Sequence, residues 1–149
     1  MIRDLNHDDL PQLLELAREM HRTGVYAAYP MDEARVAYIL TRLIEVPEAL
    51  SIGYEVSGEL VGAFVGEIVQ DLWIDVQVAV DHAFYVREAD RGSRAGIMLL
   101  RAFEKWAHEN GADVLRPVVY AGVDNQAVSN VLQRLGYESA GTVHKKEAA

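Results

Sequence analysis

One segment of the chain has residue types that suit the binding of an anion. An apolar, strand-like run ends at Val86, a short polar loop follows, and Arg91 and Gly92 lead directly into an amphipathic helical pattern. The unpaired N–H groups at a helix start, with the positive end of the helix dipole, attract negative charge. Gly92 lets the backbone approach a ligand closely, and Arg91 and Arg94 add positive charge. The pattern predicts that a phosphorylated ligand docks at residues 91–96.

A polar pair interrupts the apolar run that precedes this segment. Asp81 and His82 lie within residues 78–84, which are otherwise apolar. Such a pair either faces a cleft or sits at a bulge, and the alternative is a hydrogen-bonded pair at the sheet surface. An imidazole titrates near neutral pH and suits general-base work. His82 is therefore a candidate base, which Asp81 could orient.

Composition excludes several classes of protein. The chain contains no cysteine, which excludes disulfides, thiolate metal sites and cysteine nucleophiles. The remaining histidines show no metal-ligand spacing, so no metal site is predicted. A formal net charge of −9 disfavours broad nucleic-acid binding, which requires Lys and Arg at phosphates. The same acidity favours a cationic substrate.

Length and apolar patterning indicate one domain over residues 1–149. No unbroken apolar run is long enough to span a bilayer, so no membrane association is predicted. The N-terminus lacks the basic and then apolar pattern of a signal peptide. These features predict a soluble, cytoplasmic protein.

The elements that must position these residues follow from hydrophobic periodicity. Helical patterns cover residues 8–22, 32–44, 93–110 and about 125–135, and strand patterns cover residues 2–5, 49–56, 60–69, 76–86, 114–123 and 142–144. Ser57-Gly58 marks a tight turn. Pro117 predicts an edge, a bulge or a splayed strand. The order β-α-α-β-β-β-α-β-α-β indicates an α+β fold, with helices covering both faces of a mostly antiparallel sheet.

Two motifs carry a family resemblance that covers nearly the whole chain. Residues 91–96 read Arg-Gly-Ser-Arg-Ala-Gly, and residues 125–128 and 135–137 read Asn-Gln-Ala-Val and Leu-Gly-Tyr. They resemble the Arg/Gln-x-x-Gly-x-Gly/Ala signature and the Asn-x-x-Ala…Leu-Gly-Phe stretch of the GNAT superfamily of acyl-CoA-dependent N-acyltransferases. The resemblance implies the GNAT fold and acetyl-CoA as co-substrate.

The resemblance also implies where acetyl-CoA binds. The backbone of Phe84, Tyr85 and Val86 would pair with the pantetheine arm, and the side chain of Asn125 would contact it. The amides of the helix start would hold the pyrophosphate, and these belong to Gly92, Ser93, Arg94, Ala95 and Gly96. Arg91 or Arg94 would reach a phosphate oxygen.

The chain departs from the family pattern at two positions. Arg94 stands where the signature has its middle glycine, which places a side chain near the path of the co-substrate. Leu132 stands where the family often has a tyrosine that acts as general acid, so the usual proton donor is missing. Tyr120, on the next strand, could replace it, and the alternative for Tyr120 is a packed aromatic.

Three aromatic residues are candidates for the acceptor side. Tyr26 and Tyr29 fall in the loop between the first two helices, which lines the acceptor pocket in many family members, or they cover the core. Trp73 lies beside Asp71 and Asp75, a combination that suits a cationic amine, or it belongs to a solvated turn.

The resemblance therefore implies an N-acetyltransferase that moves an acetyl group from acetyl-CoA to a primary amine by direct attack in a ternary complex. The acceptor is a small-molecule or protein amine. The alternative is a catalytically weak or inactive module of the same fold that binds CoA or another protein, or that binds no CoA because Arg94 closes the site. A homodimer could form through Val118-Val119 and the C-terminal strand.

Overall fold

The computed structural model describes residues 1–119 and 125–148, and within them the chain forms a mixed α+β fold. Its sheet has the strand order β1-β2-β3-β4-β5. The strands are β1 (Ile2–Asp4), β2 (Leu50–Val56), β3 (Glu59–Gln70), β4 (Gln77–Val86) and β5 (Val114–Arg116). Neighbouring strands pair antiparallel, except that β4 and β5 pair parallel.

Helices cover both faces of this sheet, as the sequence predicts. They are α1 (Leu10–Thr23), α2 (Glu33–Glu45), α3 (Ala95–Glu109) and α4 (Asn125–Arg134), with short 3-10 helices at His7–Asp9 and Glu88–Asp90. The α3 face has a core in which the rings of Phe64 and Phe103 stack at 4.5 Å. The α1 face has a second core around Leu13, Leu60 and Tyr85.

A β-bulge in β4 shapes the centre of the sheet. Val65 pairs with Ala83 and Gly66 pairs with Asp81, so His82 is an extra residue in β4. Gly66 fits because a Cβ there would lie 2.5 Å from the carbonyl oxygen of Val80. A bulge bends its strand and increases the local twist. The polar pair of the sequence therefore sits at a bulge.

Beyond the bulge, β4 and β5 separate. Among the described residues, the two strands pair over residues 78–80 and 114–116 and nowhere else. Pro117 has no N–H to continue the ladder, and the N–H of Val118 donates to the Asp81 carboxylate at 2.7 Å instead of to the β4 backbone. Of the three alternatives that Pro117 predicts, an edge, a bulge or a splayed strand, the splayed strand is present.

Two predictions about strands were wrong. The strand predicted over residues 114–123 ends at Arg116 within the described residues, because Pro117 and the Val118 N–H leave the ladder, and residues 120–123 of that prediction lie outside them. The predicted strand over residues 142–144 is absent, since residues 137–148 form neither helix nor strand. This tail is mostly exposed and polar, and the Thr142 hydroxyl and the His144 ring bond each other locally. Few apolar side chains are there to hold it against the sheet.

Candidate functional site

The splay between β4 and β5 opens a cavity of about 430 Å³. One wall is β4 beyond the bulge, the floor is the start of α3, and the opposite wall includes Val118, Val119 and α4. The predicted co-substrate residues that line it are Phe84, Tyr85, Val86, Arg91, Gly92, Ser93, Gly96 and Asn125. The structure thus brings together, around one cavity, residues from β4, α3 and α4 that are distant in sequence.

Asp81 stands at the point where the two strands part. Its carboxylate accepts the N–H of Val118, and burial raises the pKa of Asp81 while this hydrogen bond opposes the rise. A carboxylate that bridges two diverging strands fixes the width of the cleft at its closed end. The expectation that Asp81 orients His82 is not met, because the imidazole bonds a different carboxylate.

The anion-binding end of the cavity is the start of α3. Gly92 has φ +82°, a left-handed conformation that favours glycine, and it turns the chain into the helix. The Ser93 hydroxyl accepts the N–H of Ala95 at 3.3 Å. Within the described residues, the N–H groups of Gly96 and Ile97 have no acceptor. Two amides and the helix dipole therefore remain for an anion.

Arg94 and Ala95 do not line the cavity. Arg94 is exposed, with φ −73° and ψ −13°, an ordinary helical conformation that requires no glycine. The side chain of Ala95 is fully buried beneath the helix. The arginine that replaces the middle glycine of the signature therefore leaves the cavity open.

The other face of β4 borders a smaller, largely apolar groove of about 200 Å³. It lies between the first two helices and the sheet, and both His82 and Tyr85 contribute to it. The Nε2 atom of His82 is 2.8 Å from Oε1 of Glu67 on β3, and both side chains are about 40% exposed. Because Tyr85 lines both cavities, β4 forms the wall between them.

The aromatic residues predicted for the acceptor side lie outside both cavities. Tyr26 and Tyr29 are about half exposed, the Tyr29 hydroxyl donates to Glu147, and the Lys145 ammonium lies 6.0 Å from the Tyr26 ring centre. Trp73 is 90% exposed in the turn between β3 and β4. Tyr120 lies outside the described residues.

The flanking carboxylate of Trp73 has a local role. The Asp71 side chain accepts the N–H groups of Trp73 and Ile74, at 2.9 and 3.3 Å. This is a common way for aspartate to fix a turn. The Oδ1 atom of Asp71 is thus occupied by the turn backbone, and the acceptor role of Trp73 stays a prediction.

A family model described as "Acetyltransferase (GNAT) family" matches residues 10–137. The chain belongs to the GNAT acetyltransferase family. It is an acyl-CoA-dependent N-acetyltransferase with acetyl-CoA as its co-substrate, as the resemblance implied. In the described residues no helix is long and apolar enough to cross a bilayer, and no cluster of three His, Asp or Glu residues could hold a metal.

Relatives of this GNAT protein include named enzymes. It is 30% identical to the L-methionine sulfoximine/L-methionine sulfone acetyltransferase of Pseudomonas aeruginosa strain PAO1, over 94% of this chain and 81% of that protein. Among solved structures it resembles the aminoglycoside acetyltransferase AAC(6')-Iy in complex with a CoA bisubstrate analogue. That match has a TM-score of 0.74 and 17% identity, over 100% of this chain and 97% of the other.

A second aminoglycoside 6'-N-acetyltransferase, AAC(6')-IG from Acinetobacter haemolyticus, matches with a TM-score of 0.74 and 19% identity, over 100% of this chain and 98% of the other. At these identities the two structural matches establish the fold. They confirm the GNAT architecture that the order of elements and motifs predicts.

The position that often carries the general acid in GNAT enzymes lies in the core of this one. Leu132 is 7% exposed and belongs to the cluster that contains Leu100 and Phe103. A proton donor at this position would have to enter a closed apolar layer. Any acid for the departing thiolate must therefore come from another part of the chain.

The sequence analysis did not identify two carboxylates that lie near the cavities. Glu67 bonds His82 across the bulge, and Glu19 on α1 bonds the Tyr85 hydroxyl. Glu67 interrupts an apolar strand, so its charge was a usable signal. Glu19 lies on an ordinary amphipathic helix, and nothing in its sequence context distinguishes it from neighbouring solvated residues.

Proposed function

We propose that this enzyme acetylates a small primary amine of amino-acid type by direct attack on acetyl-CoA within a ternary complex. The observation that carries the proposal is the bulge at His82, where the cleft between β4 and β5 and the groove beneath α1 and α2 border the same strand. A thioester delivered along one side of β4 and an amine held on the other would meet at this point.

Acetyl-CoA would occupy the larger cavity. Its pyrophosphate would bind the N–H groups at the start of α3, which include those of Gly96 and Ile97. Its pantetheine arm would lie along Phe84, Tyr85 and Val86, where β4 extends beyond its last pair with β5. An extended ligand that adds to a free strand edge gains main-chain hydrogen bonds.

His82 would act as the general base. With Nε2 donating to Glu67, Nδ1 is the nitrogen that can accept a proton, and it has no partner among the described residues. The ammonium of the acceptor gives its proton to Nδ1, and the neutral amine attacks the thioester carbonyl. The tetrahedral intermediate loses the second proton of its nitrogen to water and collapses, so that the C–S bond breaks and CoA leaves as a thiolate. The Glu67 carboxylate stabilises the imidazolium that forms.

Tyr120 would protonate the departing thiolate. It directly follows the cleft-wall residues Val118 and Val119 in the chain, and the core position of Leu132 leaves the usual donor absent. Direct transfer requires no nucleophilic side chain, which agrees with a chain that has no cysteine.

The proposed acceptor class rests on the P. aeruginosa relative and on the positive charge of Arg116. That relative is named for L-methionine sulfoximine and L-methionine sulfone. In this chain Glu67 pairs with Val80, and Val80 pairs with Arg116, so the Glu67 and Arg116 side chains share a sheet face. Arg116 is exposed and makes no ion pair with any described residue. A carboxylate on Arg116 would place an α-amine toward His82 and Glu67.

The test is a thiol-release assay with acetyl-CoA and an acceptor panel. L-methionine sulfoximine, L-methionine sulfone, an amine of the same length without a carboxylate, an aminoglycoside and a peptide with a free N-terminus make up the panel. Turnover that is fastest with the amino acids, and a KM for them that Arg116→Ala raises, would support the proposal. Faster acetylation of the aminoglycoside or the peptide would overturn the acceptor class. Saturable CoA binding without any turnover would instead support a non-catalytic module.

We further propose a homodimer that uses the edge of β5. Val114 is 45% exposed on β5, and among the described residues this strand pairs only with β4; Val118, 41% exposed, follows it and also lines the larger cavity. The C-terminal strand predicted over residues 142–144 is not part of this proposed interface, because these residues form no strand. Light scattering on the purified enzyme would return a dimer mass, and Val114→Lys, at an exposed β5 position outside both cavities, would return a monomer. The cytoplasmic location stays a prediction from composition.

A further inference from the structure

Three side chains connect the first helix to the loop that precedes α3. The Tyr85 hydroxyl donates to Oε1 of Glu19 at 3.0 Å, and Nη2 of Arg91 donates to the Tyr85 hydroxyl at 2.8 Å. The Arg91 guanidinium also lies 5.2 Å from the centre of the Tyr85 ring. We call Glu19, Tyr85 and Arg91 the loop network. Its hydroxyl joins a carboxylate of one face of the protein to a guanidinium at the edge of the larger cavity.

The loop network holds the loop before α3 at both ends. The backbone N–H of Glu88, at the start of the loop, donates at 2.6 Å to the same Glu19 oxygen that accepts from Tyr85. Arg91, at the end of the loop, donates to Tyr85 and, at 3.4 Å, to the Val86 carbonyl. The intervening residues form the short 3-10 helix Glu88–Asp90. Both ends of the loop are therefore fixed to one buried hydroxyl and its carboxylate partner.

The direction of these hydrogen bonds follows from the groups themselves, because a guanidinium only donates and a carboxylate only accepts. Tyr85, which is 7% exposed and whose pKa is raised by burial, carries the proton that lies between it and Glu19. It can donate that proton to Glu19 and still accept from Arg91. Hydrogen bonds to charged partners contribute more than neutral ones, especially away from water. The network is thus a satisfied unit of three groups.

We infer that Glu19 and the Tyr85 hydroxyl are positioning residues for acetyl-CoA. They hold Arg91, and through it Gly92 and the first turn of α3, in the arrangement that presents the helix amides to the pyrophosphate. The inference rests on the proposed placement of the pyrophosphate at residues 92–96. Neither group needs to touch the thioester or the acceptor amine, so each acts on affinity for the phosphate end of the co-substrate.

The experiment compares two ligands that share the acetyl-pantetheine arm. Acetyl-CoA carries the pyrophosphate and S-acetylpantetheine does not, and calorimetry measures Kd for the first directly and for the second by displacement at millimolar concentration. Tyr85→Phe and Glu19→Gln should each raise the Kd for acetyl-CoA about tenfold, equal to about 1.4 kcal/mol. The Kd for S-acetylpantetheine should stay within about twofold, since only the phosphate end is affected.

Matched controls and a double variant separate positioning from general damage. Tyr38→Phe and Glu15→Gln change an exposed tyrosine and an exposed α1 glutamate outside the network, and should leave both Kd values unchanged. In an Arg91→Ala background, Tyr85→Phe should add little to the loss, because the two residues act as one unit. Thermal unfolding of each variant checks that it is folded. If Tyr85→Phe does not fold, Glu19→Gln provides the test.

The outcomes separate this inference from the proposed function. Equal losses for both ligands, no loss for acetyl-CoA, or losses that add in the double variant would overturn the positioning role. A wild-type enzyme that binds the two ligands equally well would show that the pyrophosphate contributes nothing. That result would overturn the proposed placement of acetyl-CoA itself, and it is read from the wild type without any variant.

Discussion

The Nε2 atom of His82 lies 2.8 Å from Oε1 of Glu67 across the β3–β4 bulge, while the neighbouring Asp81 turns to the opposite face and accepts the Val118 N–H. Two adjacent polar residues thus have separate partners and separate tasks. Asp81 holds the cleft open, and His82 faces the groove where an acceptor amine would lie.

The first prediction concerns this pair. His82→Ala should lower kcat for acetyl transfer by about 100-fold or more, which is typical for loss of a general base. Glu67→Gln should have a smaller effect, about tenfold, because it removes only the stabilisation of the imidazolium. Neither variant should change the Kd for CoA, which calorimetry would verify.

His108→Ala is the matched control for this prediction. His108 is an exposed residue on α3 and lies outside both cavities. Its substitution should leave the rate of acetyl transfer and CoA binding unchanged. Wild-type rates in His82→Ala would remove this histidine from the mechanism, and a matching loss of CoA affinity would mean that the bulge itself had changed.

The second prediction tests the phosphate end of the cleft. Arg91→Ala should weaken CoA binding more than Lys105→Ala, by about tenfold, since Arg91 lines the cavity and secures its loop. Lys105 lies on the solvated face of α3, where it is close to Glu109. Calorimetric titration with CoA measures both. Equal losses in the two variants would show that the phosphates bind elsewhere.

The third prediction concerns the departure from the GNAT signature. Arg94→Gly restores the usual glycine, yet acetyl-CoA affinity should change by less than about threefold, because the arginine is exposed and lies outside the cavity lining. The same titration provides the measurement. A gain of tenfold or more would mean that the arginine obstructs the co-substrate.

Most of the fold could be predicted from the sequence because local periodicity defines its elements. Four helices and strands β1 to β4 lie within a few residues of their predicted positions, and the Ser57-Gly58 turn forms with both φ values positive. The errors arose where the ends of elements depend on distant partners. The strand that begins at Val114 stops at Arg116 because Asp81, more than 30 residues earlier, takes the next available N–H.

The parts of the candidate site that are formed by backbone groups and by a glycine could be predicted from the sequence. The β4 end, Gly92 and the α3 start follow from local pattern, and the structure gathers them around one cavity. The partners of His82 and Tyr85 were not predictable. Glu67 reaches His82 through a bulged register, and Glu19 reaches Tyr85 through helix-to-sheet packing, neither of which is encoded in local spacing.

The fourth prediction concerns a buried hydroxyl beside the core. The Tyr137 hydroxyl is buried and has no partner within hydrogen-bond geometry among the described residues, and burial raises its pKa, as do the charge and the close approach of the Glu104 carboxylate. Tyr137→Phe removes a polar group that no bond compensates, so the free energy of unfolding should stay level or rise by up to about 1 kcal/mol. Urea unfolding measures the change. A loss above about 1 kcal/mol would show that the hydroxyl is bonded in solution.

The fifth prediction links stability to pH through the N-terminal segment. Both Arg3 Nη atoms bond the Asp9 carboxylate, at 2.8 and 2.7 Å, and this pairing is the main cause that lowers the pKa of Asp9 below its ordinary value. The Asp9 side chain also accepts the N–H of Asn6 at 2.9 Å, which closes a capping box at the first helical turn. Asp9→Asn should therefore destabilise the protein by about 2 kcal/mol at neutral pH.

The sign of the pH dependence follows from the lowered pKa. A carboxyl with a lower pKa in the folded state stabilises the fold fully above its unfolded pKa, and this stabilisation is lost as pH falls through the folded value. The difference in unfolding free energy between wild type and Asp9→Asn should then be constant near pH 7 and shrink below the ordinary aspartate pKa of 3.8. Urea unfolding at several pH values measures it, with Asp8→Asn as the exposed control. A difference that stays constant down to acid would show that Asp9 acts through its shape and neutral hydrogen bonds, and not through its charge.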